Sequence, residues 1–370
     1  MRRRTFLSLL LAAFCAGPAW PRVQAQVQVQ AQVQAAAQEA WSDGPHLLWT
    51  GAKGEVLTVR EGRLERRALG PGHLLALPGL PPLRLDPKGP GAPPQAVAEP
   101  PRLAALSDIH GNFEGMRALL QAQGIMDGTG RWTFGRGHLV VVGDVLDRGA
   151  QVTECCWLLR SLEAQAARQG GRVHMVMGNH EAMMLAGDRR YAHPKYRQLS
   201  AGLLPGLDAL YGPDSELGRW LRLRPALVRI GRTLFIHGGL SPRWLEARPS
   251  LAAVNERLAA AWRPGADEAA REAVLGPDGP LWYRGLIPGA APKAGDASPD
   301  HVQALLRAFD ADRVVVGHST LEAVTAFHEG RVIGVDAGLK EGRRGELLLL
   351  EQGRAFRGLP DGRRVPLEQP

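Results

Sequence analysis

Side chains that bind metal ions recur in this sequence at one kind of position, directly after short apolar runs. Five such runs are followed by the segments Ser107-Asp108-Ile109-His110-Gly111, Gly143-Asp144-Val145-Leu146-Asp147-Arg148-Gly149, Gly178-Asn179-His180-Glu181, His237-Gly238-Gly239 and Gly317-His318-Ser319. Carboxylate, imidazole and amide oxygen, with no thiolate among them, suit divalent Mn, Fe or Zn. The pattern therefore predicts a metal site in which neighbouring glycines let the backbone approach a bound ion closely.

The elements that must position these residues are predicted to be strands. The apolar runs are residues 103–106, 138–142, 173–177, 234–236 and 314–316. Between several of these runs, apolar residues recur at helical spacing. Strands and helices are therefore predicted to alternate, which indicates a mixed α/β layered domain. Ligand sites in such domains lie at the carboxyl ends of the strands. Asp108 and His110 are two residues apart, so on an extended segment they would face the same way.

The ordered series of motifs resembles the calcineurin-like metallophosphoesterases. Gly-Asp-x-x-Asp-Arg-Gly at 143–149 and Gly-Asn-His-Glu at 178–181 are typical of the phosphoprotein phosphatase type. The segment at 280–285, Pro-Leu-Trp-Tyr-Arg-Gly, and the single histidine after Gly317 are most similar to the Shewanella-like protein phosphatases. One motif alone is weak, but the full series is specific. The resemblance covers about residues 101–350 and implies a layered β-sandwich flanked by helices.

The resemblance also implies a ligand set, carried over motif by motif. A first metal ion would be held by Asp108, His110 and Asp144. A second would be held by Asp144, Asn179, His237 and His318. Asp144 would bridge the pair, because two ions about 4 Å apart need a shared anion.

The remaining site residues are assigned in the same way. His180 would be the general acid and Asp147 its partner, while Arg148 and Asn179 would bind the phosphate. Arg284 would be a second phosphate-binding arginine or an ordinary loop arginine, and its looser motif leaves both interpretations open. Asp336, after the predicted strand 331–335, would lie behind the metal ligands.

The reaction implied is hydrolysis of a phosphomonoester, on a phosphorylated protein or a small molecule, by a water that two metal ions activate for in-line attack. Manganese is the favoured metal, with iron or zinc as alternatives. The planar fork of Arg148 matches phosphate oxygens, and His180 can protonate the leaving oxygen. Two other functions stay open, a diadenosine polyphosphate hydrolase and a catalytically silent metal-binding module. The presence of Asp147, Arg148 and His180 argues against the silent module.

The amino terminus has the pattern of a targeting signal, predicted to span residues 1–25. Three arginines precede an apolar stretch that is too short to cross a bilayer easily, and small residues follow. The arginine pair followed by hydrophobic residues fits a twin-arginine signal, with an ordinary secretory signal as the alternative. We therefore expect a periplasmic or secreted protein with no stable membrane anchor after cleavage. Residues 26–40, rich in Gln, Ala and Val, are interpreted as a low-complexity linker.

Residues 41–100 are predicted to form a small β appendage followed by a Pro-rich linker, and residues 101–358 the metallophosphoesterase domain. Short β-type runs at 46–50, 55–60 and 63–69 are separated by turns that contain glycine. We interpret the appendage as a cover packed on the main domain, with a partner-binding module as the alternative.

Charge and cysteine content exclude some classes of protein. The net charge of +8 would fall to +4 on signal cleavage, because four arginines (Arg2, Arg3, Arg4 and Arg22) leave with the signal. Later charges alternate in sign, so no nucleic-acid partner is predicted. Cys155 and Cys156 would remain, and neighbouring cysteines make no disulfide framework.

Overall fold

The computed structural model describes residues 41–263, 265–290, 295–342 and 345–368. The predicted signal peptide at 1–25 and the predicted linker at 26–40 lie outside these ranges. Within them, no helix combines the length and the apolar content that crossing a membrane requires.

The described residues contain short strands and helices in alternation. The strands are β1 (Asp43–Thr50), β2 (Lys53–Arg60), β3 (Arg63–Ala68), β4 (Leu74–Leu77), β5 (Leu80–Arg84), β6 (Ala96–Val97), β7 (Arg102–Leu106), β8 (His138–Val141), β9 (Arg172–Met175), β10 (Leu227–Ile230), β11 (Thr233–Ile236), β12 (Arg313–Val316), β13 (Thr325–Phe327), β14 (Val332–Gly334), β15 (Leu347–Glu351), β16 (Arg354–Gly358) and β17 (Arg364–Pro366). The α-helices are α1 (Phe113–Ala122), α2 (Val152–Arg168), α3 (Asn179–Leu185), α4 (Pro194–Gly202), α5 (Leu207–Leu210), α6 (Glu216–Arg222), α7 (Pro242–Glu246), α8 (Leu251–Ala261), α9 (Glu268–Leu275) and α10 (Pro299–Ala308).

Two six-stranded sheets form the centre of the fold. The first sheet has the strand order β17-β16-β15-β7-β8-β9, and the second has the order β13-β14-β12-β11-β10-β6. Leu103 and Val140 of the first sheet share one buried cluster with Phe235 and Val315 of the second. This is the β-sandwich that the sequence predicts. Strands β7, β8 and β9 are parallel, as are β11 and β12, so their carboxyl ends gather the predicted site residues.

Helices cover the outer face of each sheet. Leu119 of α1 and Trp157 of α2 belong to the buried cluster of the first sheet. Val254 of α8 and Leu305 of α10 belong to that of the second sheet. Because the strands are covered on both faces, their sequences read as continuous apolar runs rather than as alternating patterns.

The amino-terminal β-strands pack against the domain. Strands β1, β2 and β3 form an antiparallel sheet, and β4 pairs with β5. The indole of Trp49 donates a hydrogen bond to Glu216 of α6 at 3.0 Å. The indole of Trp157 donates to the carbonyl of Pro45 at 2.7 Å. These contacts support the interpretation of the appendage as a cover.

Several strands lie where the sequence analysis names none, and two of them, β6 and β17, differ from the predicted domain organisation. Strand β6, within the segment expected to be a Pro-rich linker, adds to the second sheet beside β10. Strand β17 continues the first sheet beyond the predicted domain end at Gly358. Both strands are very short and lie at sheet edges, where proline is tolerated, so neither carries the apolar run by which strands are recognised.

Candidate active site

The predicted site residues come together at the carboxyl ends of the central strands. Asp108 and His110 follow β7, Asp144 and Asp147 follow β8, Asn179 and His180 begin α3 after β9, His237 follows β11 and His318 follows β12. All eight side chains are buried, with at most 4% of each residue exposed. The structure therefore assembles the predicted residues between the two sheets, and their assignment as metal ligands stays a prediction.

The backbone at these positions is unusual. Asp108, His110, Asp144 and His318 have φ angles of 52°, 47°, 57° and 64°. Residues other than glycine seldom occupy this left-handed region, and such strain tends to concentrate at functional sites. The expectation that Asp108 and His110 lie on an extended segment is therefore wrong. They lie on the turn after β7, which brings Asp108 Oδ1 within 3.8 Å of His110 Nε2.

The first predicted ligand group surrounds the Nε2 atom of His110. This atom lies 3.5 Å from Asp144 Oδ2. On the other side of the ring, Nδ1 donates a hydrogen bond to the carbonyl of Leu146 at 2.7 Å. That bond places the proton on Nδ1 and leaves the Nε2 lone pair free, which is the arrangement of a metal-binding histidine.

The second predicted ligand group surrounds the other side of Asp144. Its Oδ2 atom lies 3.3 Å from His237 Nε2. The same nitrogen lies 3.0 Å from Asn179 Oδ1. Burial alone would lower the pKa of His237, but the carboxylates of Asp144 and Asp108 outweigh it and raise that pKa to about 9. The region therefore concentrates negative charge and favours a cation.

These residues fit the binding of divalent metal. The Nε2 atoms of His110 and His318 are buried and have no hydrogen-bond partner, although buried polar nitrogens nearly always have one. Burial, together with the positive charge of His237 and Arg284, holds the pKa of His318 well below its usual range, so its ring is neutral and able to bind a metal. A Cβ at Gly317 would lie 2.9 Å from Asp108 Oδ2, so glycine is needed beside this carboxylate.

His180 is oriented by Asp147. His180 Nδ1 lies 2.7 Å from Asp147 Oδ2. The opposite ring nitrogen, Nε2, lies 4.0 Å from Asp144 Oδ2, the oxygen that the two ligand groups share. A donor held in this way can deliver a proton to a group bound over the metal site.

The two predicted phosphate-binding arginines flank the site. Arg148 is exposed, and its guanidinium lies 5.3 Å from the ring centroid of Tyr191. Arg284 is half-buried and donates hydrogen bonds to the carbonyl of His318 and, at 3.4 Å, to Ser319 Oγ. Burial lowers the pKa of Arg284, although Asp108 and Asp144 act in the opposite direction. Arg284 therefore lies beside the site rather than in a remote loop, and its role toward phosphate remains a prediction.

Glu181 supports the site in a way that the sequence interpretation missed. Its carboxylate is fully buried and accepts hydrogen bonds from the backbone amides of Gly178, Asp144, Val145 and Leu146. It therefore links the loop after β8 to the start of α3. The sequence feature that could have indicated this role is the position of Glu181 in the Gly-Asn-His-Glu motif.

Three further residues were also missed. The ring of Tyr191 lies 5.1 Å from that of His180, and the ring of Trp282 lies 5.5 Å from that of His318. Lys340 contacts both Asp108 and Asp336. Trp282 lies within the motif at 280–285, whereas nothing in the sequence around Tyr191 or Lys340 distinguishes them from surface residues.

Asp336 lies behind the ligands, as expected. It is fully buried and accepts a hydrogen bond from Thr320 Oγ1 at 2.9 Å. Burial and the nearby Asp108 raise the pKa of Asp336 to about 7, although Lys340 and Thr320 oppose the shift.

The fold and the site together define a calcineurin-like phosphoesterase. The model of that family matches residues 101–320, and the chain belongs to the family. It is a metal-dependent phosphoesterase of the mixed α/β metallophosphoesterase fold.

Individual relatives show which phosphoesterases this chain is similar to. The crystal structure of a cold-active protein-tyrosine phosphatase from a psychrophilic Shewanella species aligns with a TM-score of 0.81 and 33% identity, covering 89% of this chain and 100% of the other. Shewanella-like protein phosphatase 2 of Arabidopsis thaliana is 27% identical over 66% of this chain and 73% of its own length. A symmetrical bis(5'-nucleosyl)-tetraphosphatase of Methylococcus capsulatus is 28% identical over 41% of this chain and 48% of its own length.

Proposed function

We propose that this metallophosphoesterase is a manganese-dependent protein phosphatase that hydrolyses phosphotyrosine. The observation that carries the proposal is the pair of His180 and Asp147, 2.7 Å apart, beside the shared carboxylate of Asp144. A phosphomonoesterase needs a proton donor at this position, because the leaving oxygen must be protonated as the bond to phosphorus breaks. A module that only bound metal would have no use for it.

Different side chains would carry out different parts of the reaction. Two divalent ions, when bound, would activate the attacking water and neutralise charge on the phosphate. The guanidinium groups of Arg148 and Arg284 would hold the remaining phosphate oxygens. Cys155 and Cys156 supply no nucleophile, because both are fully buried in α2 and burial raises the pKa of both thiols well above its usual range.

A groove beside the site supports an aromatic leaving group. Its cavity of about 250 Å³ begins at Asn179 and is lined by Met183, Tyr191, Leu275 and Trp282. An apolar cavity of about 150 Å³ can hold a benzene ring, so this space is sufficient for a tyrosyl side chain. Aromatic walls on the sides of His180 and His318 would contact such a ring, whereas a serine side chain would leave them unused. The likeness to a protein-tyrosine phosphatase supports the same substrate.

Hydrolysis of dinucleoside polyphosphates is the second candidate. It is favoured by the similarity to a symmetrical bis(5'-nucleosyl)-tetraphosphatase, which spans 41% of this chain. A nucleobase could also stack between aromatic side chains.

The experiment compares initial rates of the metal-stripped protein, reloaded with Mn²⁺, on a phosphotyrosine peptide, a phosphoserine peptide and diadenosine tetraphosphate. We expect metal-dependent turnover that is fastest on the phosphotyrosine peptide. Turnover confined to diadenosine tetraphosphate would establish the second candidate instead. No turnover with both metals bound would refute both.

We further propose that the chain is exported and cleaved after Ala25. The supporting feature is the amino-terminal pattern of arginines, apolar residues and small residues. Amino-terminal sequencing of the protein from the periplasmic fraction should begin at Gln26. An intact amino terminus on protein from the cytoplasm would contradict export.

A further inference from the structure

Lys340 is bound between two carboxylates at the edge of the metal site. It lies in the short turn Leu339–Glu341, and its Nζ atom is 2.9 Å from Asp108 Oδ1 and 2.6 Å from Asp336 Oδ2. Only 12% of the Lys340 side chain is exposed, against 1% and 0% for the side chains of Asp108 and Asp336. The ammonium group is therefore the counter-charge of a largely buried acidic pair.

The oxygen that Lys340 binds on Asp108 is the one that faces His110, its predicted partner in the first metal site. The other oxygen, Oδ2, accepts hydrogen bonds from the hydroxyl of Ser107 and from the amide of His318 at 2.9 Å. Oδ1 lies 3.8 Å from Nε2 of His110, a buried nitrogen that forms no hydrogen bond. A metal ion held by Asp108 and His110 would therefore share this oxygen with the ammonium of Lys340.

Two buried carboxylates side by side are unstable without a cation, because each is desolvated and repels the other. A lysine ammonium is a compact point charge that meets this need. The same charge repels a divalent ion that approaches the shared oxygen. One residue therefore stabilises the site without metal and weakens the site's hold on metal.

We propose that Lys340 is an internal counter-cation that holds Asp108 and Asp336 together before metal binds and sets the affinity of the first metal site. The inference rests on the proposed metal-dependent function, but its readouts are metal affinity and thermal stability rather than turnover. Metal affinity and thermal stability can therefore refute the inference in an enzyme of normal turnover, and they can support it in an inactive protein.

The test introduces Lys340→Met, which keeps an unbranched side chain and removes the charge. The reference protein carries His318→Ala and the test protein carries His318→Ala with Lys340→Met, so that in both the second site loses a predicted ligand and the first site dominates the Mn²⁺ isotherm measured by calorimetry. We expect Mn²⁺ to bind about tenfold more tightly in Lys340→Met, because the competing charge is gone. We also expect the Tm of the metal-free variant to fall.

Two further variants keep the test interpretable. Lys53→Met removes an exposed lysine at the start of β2 and should change neither quantity. Asp336→Asn combined with Lys340→Met removes one of the two repelling carboxylates, so the metal-free Tm should recover relative to Lys340→Met alone. If Lys340→Met does not fold, this double variant carries the affinity measurement.

Weaker or unchanged Mn²⁺ binding in the Lys340 variants would overturn the proposal. Weaker binding would show that Lys340 only positions Asp108, and unchanged binding would show that it does not act on the metal. An unchanged metal-free Tm in Lys340→Met would equally refute the counter-cation role.

Discussion

His180 and Asp144 have separable roles, although their side chains approach within 4.0 Å of each other. His180 is oriented by Asp147 and points its other nitrogen toward the centre of the site. Asp144 lies between the two predicted ligand groups, within 3.5 Å of His110 and 3.3 Å of His237. Substitution of each residue should therefore have a distinct signature.

For His180→Asn we expect both metals to remain bound and kcat to fall by about two to four orders of magnitude, because the leaving oxygen loses its proton donor. Metal content is measured by mass spectrometry and kcat with a phosphotyrosine peptide. The matched control is His328→Asn, a half-buried histidine in the turn between β13 and β14, which should leave kcat unchanged. Loss of metal from His180→Asn would show that the residue is a ligand.

For Asp144→Asn we expect both metal ions to bind much more weakly, because the shared anion loses its charge. The measurement is the number of Mn²⁺ ions retained after dialysis. Normal retention of two ions would refute the bridging role. Retention of one ion would show that Asp144 serves a single site.

At this scale the sequence predicted the residues that come together, because each follows an apolar strand and carries a functional group suited to metal or phosphate. The sequence did not indicate that Tyr191 or Lys340 would lie at the site. Their roles depend on where a loop and a short turn place them, and that placement is set by packing between segments distant along the chain. The extended backbone expected at Asp108 and His110 was wrong, because no sequence pattern marks a left-handed conformation in residues other than glycine.

At the scale of elements, a buried ionic cluster joins the appendage to the loop that carries Arg148. Lys195 of α4 lies 2.8 Å from Asp43 of β1 and donates a hydrogen bond to the carbonyl of Ala150 at 2.7 Å. His46 lies 2.7 Å from the other oxygen of Asp43. Burial would raise the pKa of Asp43, but His46 and Lys195 outweigh it and lower that pKa.

We expect Asp43→Asn to lower the free energy of unfolding by about 3 kcal/mol, because the buried ammonium of Lys195 loses its counter-charge. Urea unfolding followed by tryptophan fluorescence measures the change. The control is Glu65→Gln, in the exposed pair of Arg60 and Glu65, which should cost less than about 1 kcal/mol. Equal losses in the two variants would show that the cluster adds nothing beyond surface charge.

The five strands that precede the site residues followed from their apolar runs. The start of α10 is set instead by a capping residue, since Ser298 accepts a hydrogen bond from the amide of His301. Strands β6 and β17 could not be predicted, because pairing with a neighbouring edge, rather than their own composition, makes them strands. The sequence predicted that the appendage covers the domain, but not that β1 contacts α2 and α6. Pairs between distant segments, such as Trp49 with Glu216, leave no local signal in the sequence.

At the scale of the whole molecule, two buried histidines couple folding to pH. His138 and His174, on β8 and β9, have ring nitrogens 3.2 Å apart. Burial, with the charge of Arg172, lowers the pKa of His138 to about 4. Burial, with the charges of His138 and Arg172, lowers that of His174 to about 3. In the unfolded chain both would titrate near about 6.5.

The folded state therefore binds fewer protons than the unfolded state below about pH 6.5, and this contribution to stability is complete above that pH and is lost as pH falls toward 4. We expect His174→Phe to flatten the dependence of Tm on pH between 6.5 and 4, whatever its effect on Tm at neutral pH. Thermal unfolding monitored by circular dichroism across this range measures the slope. Identical slopes in the variant and the wild type would contradict the prediction.

The buried carboxylate of Glu181 has a consequence for how the substrate range of this protein can be changed. Its bonds to the amides of Gly178 and Asp144 make the loop after β8 and the start of α3 a single rigid unit. A substitution in either segment would move both the predicted metal ligands and the predicted proton donor at once. Libraries that seek new substrates should leave this unit intact and vary the groove wall at Tyr191 and Leu275 instead.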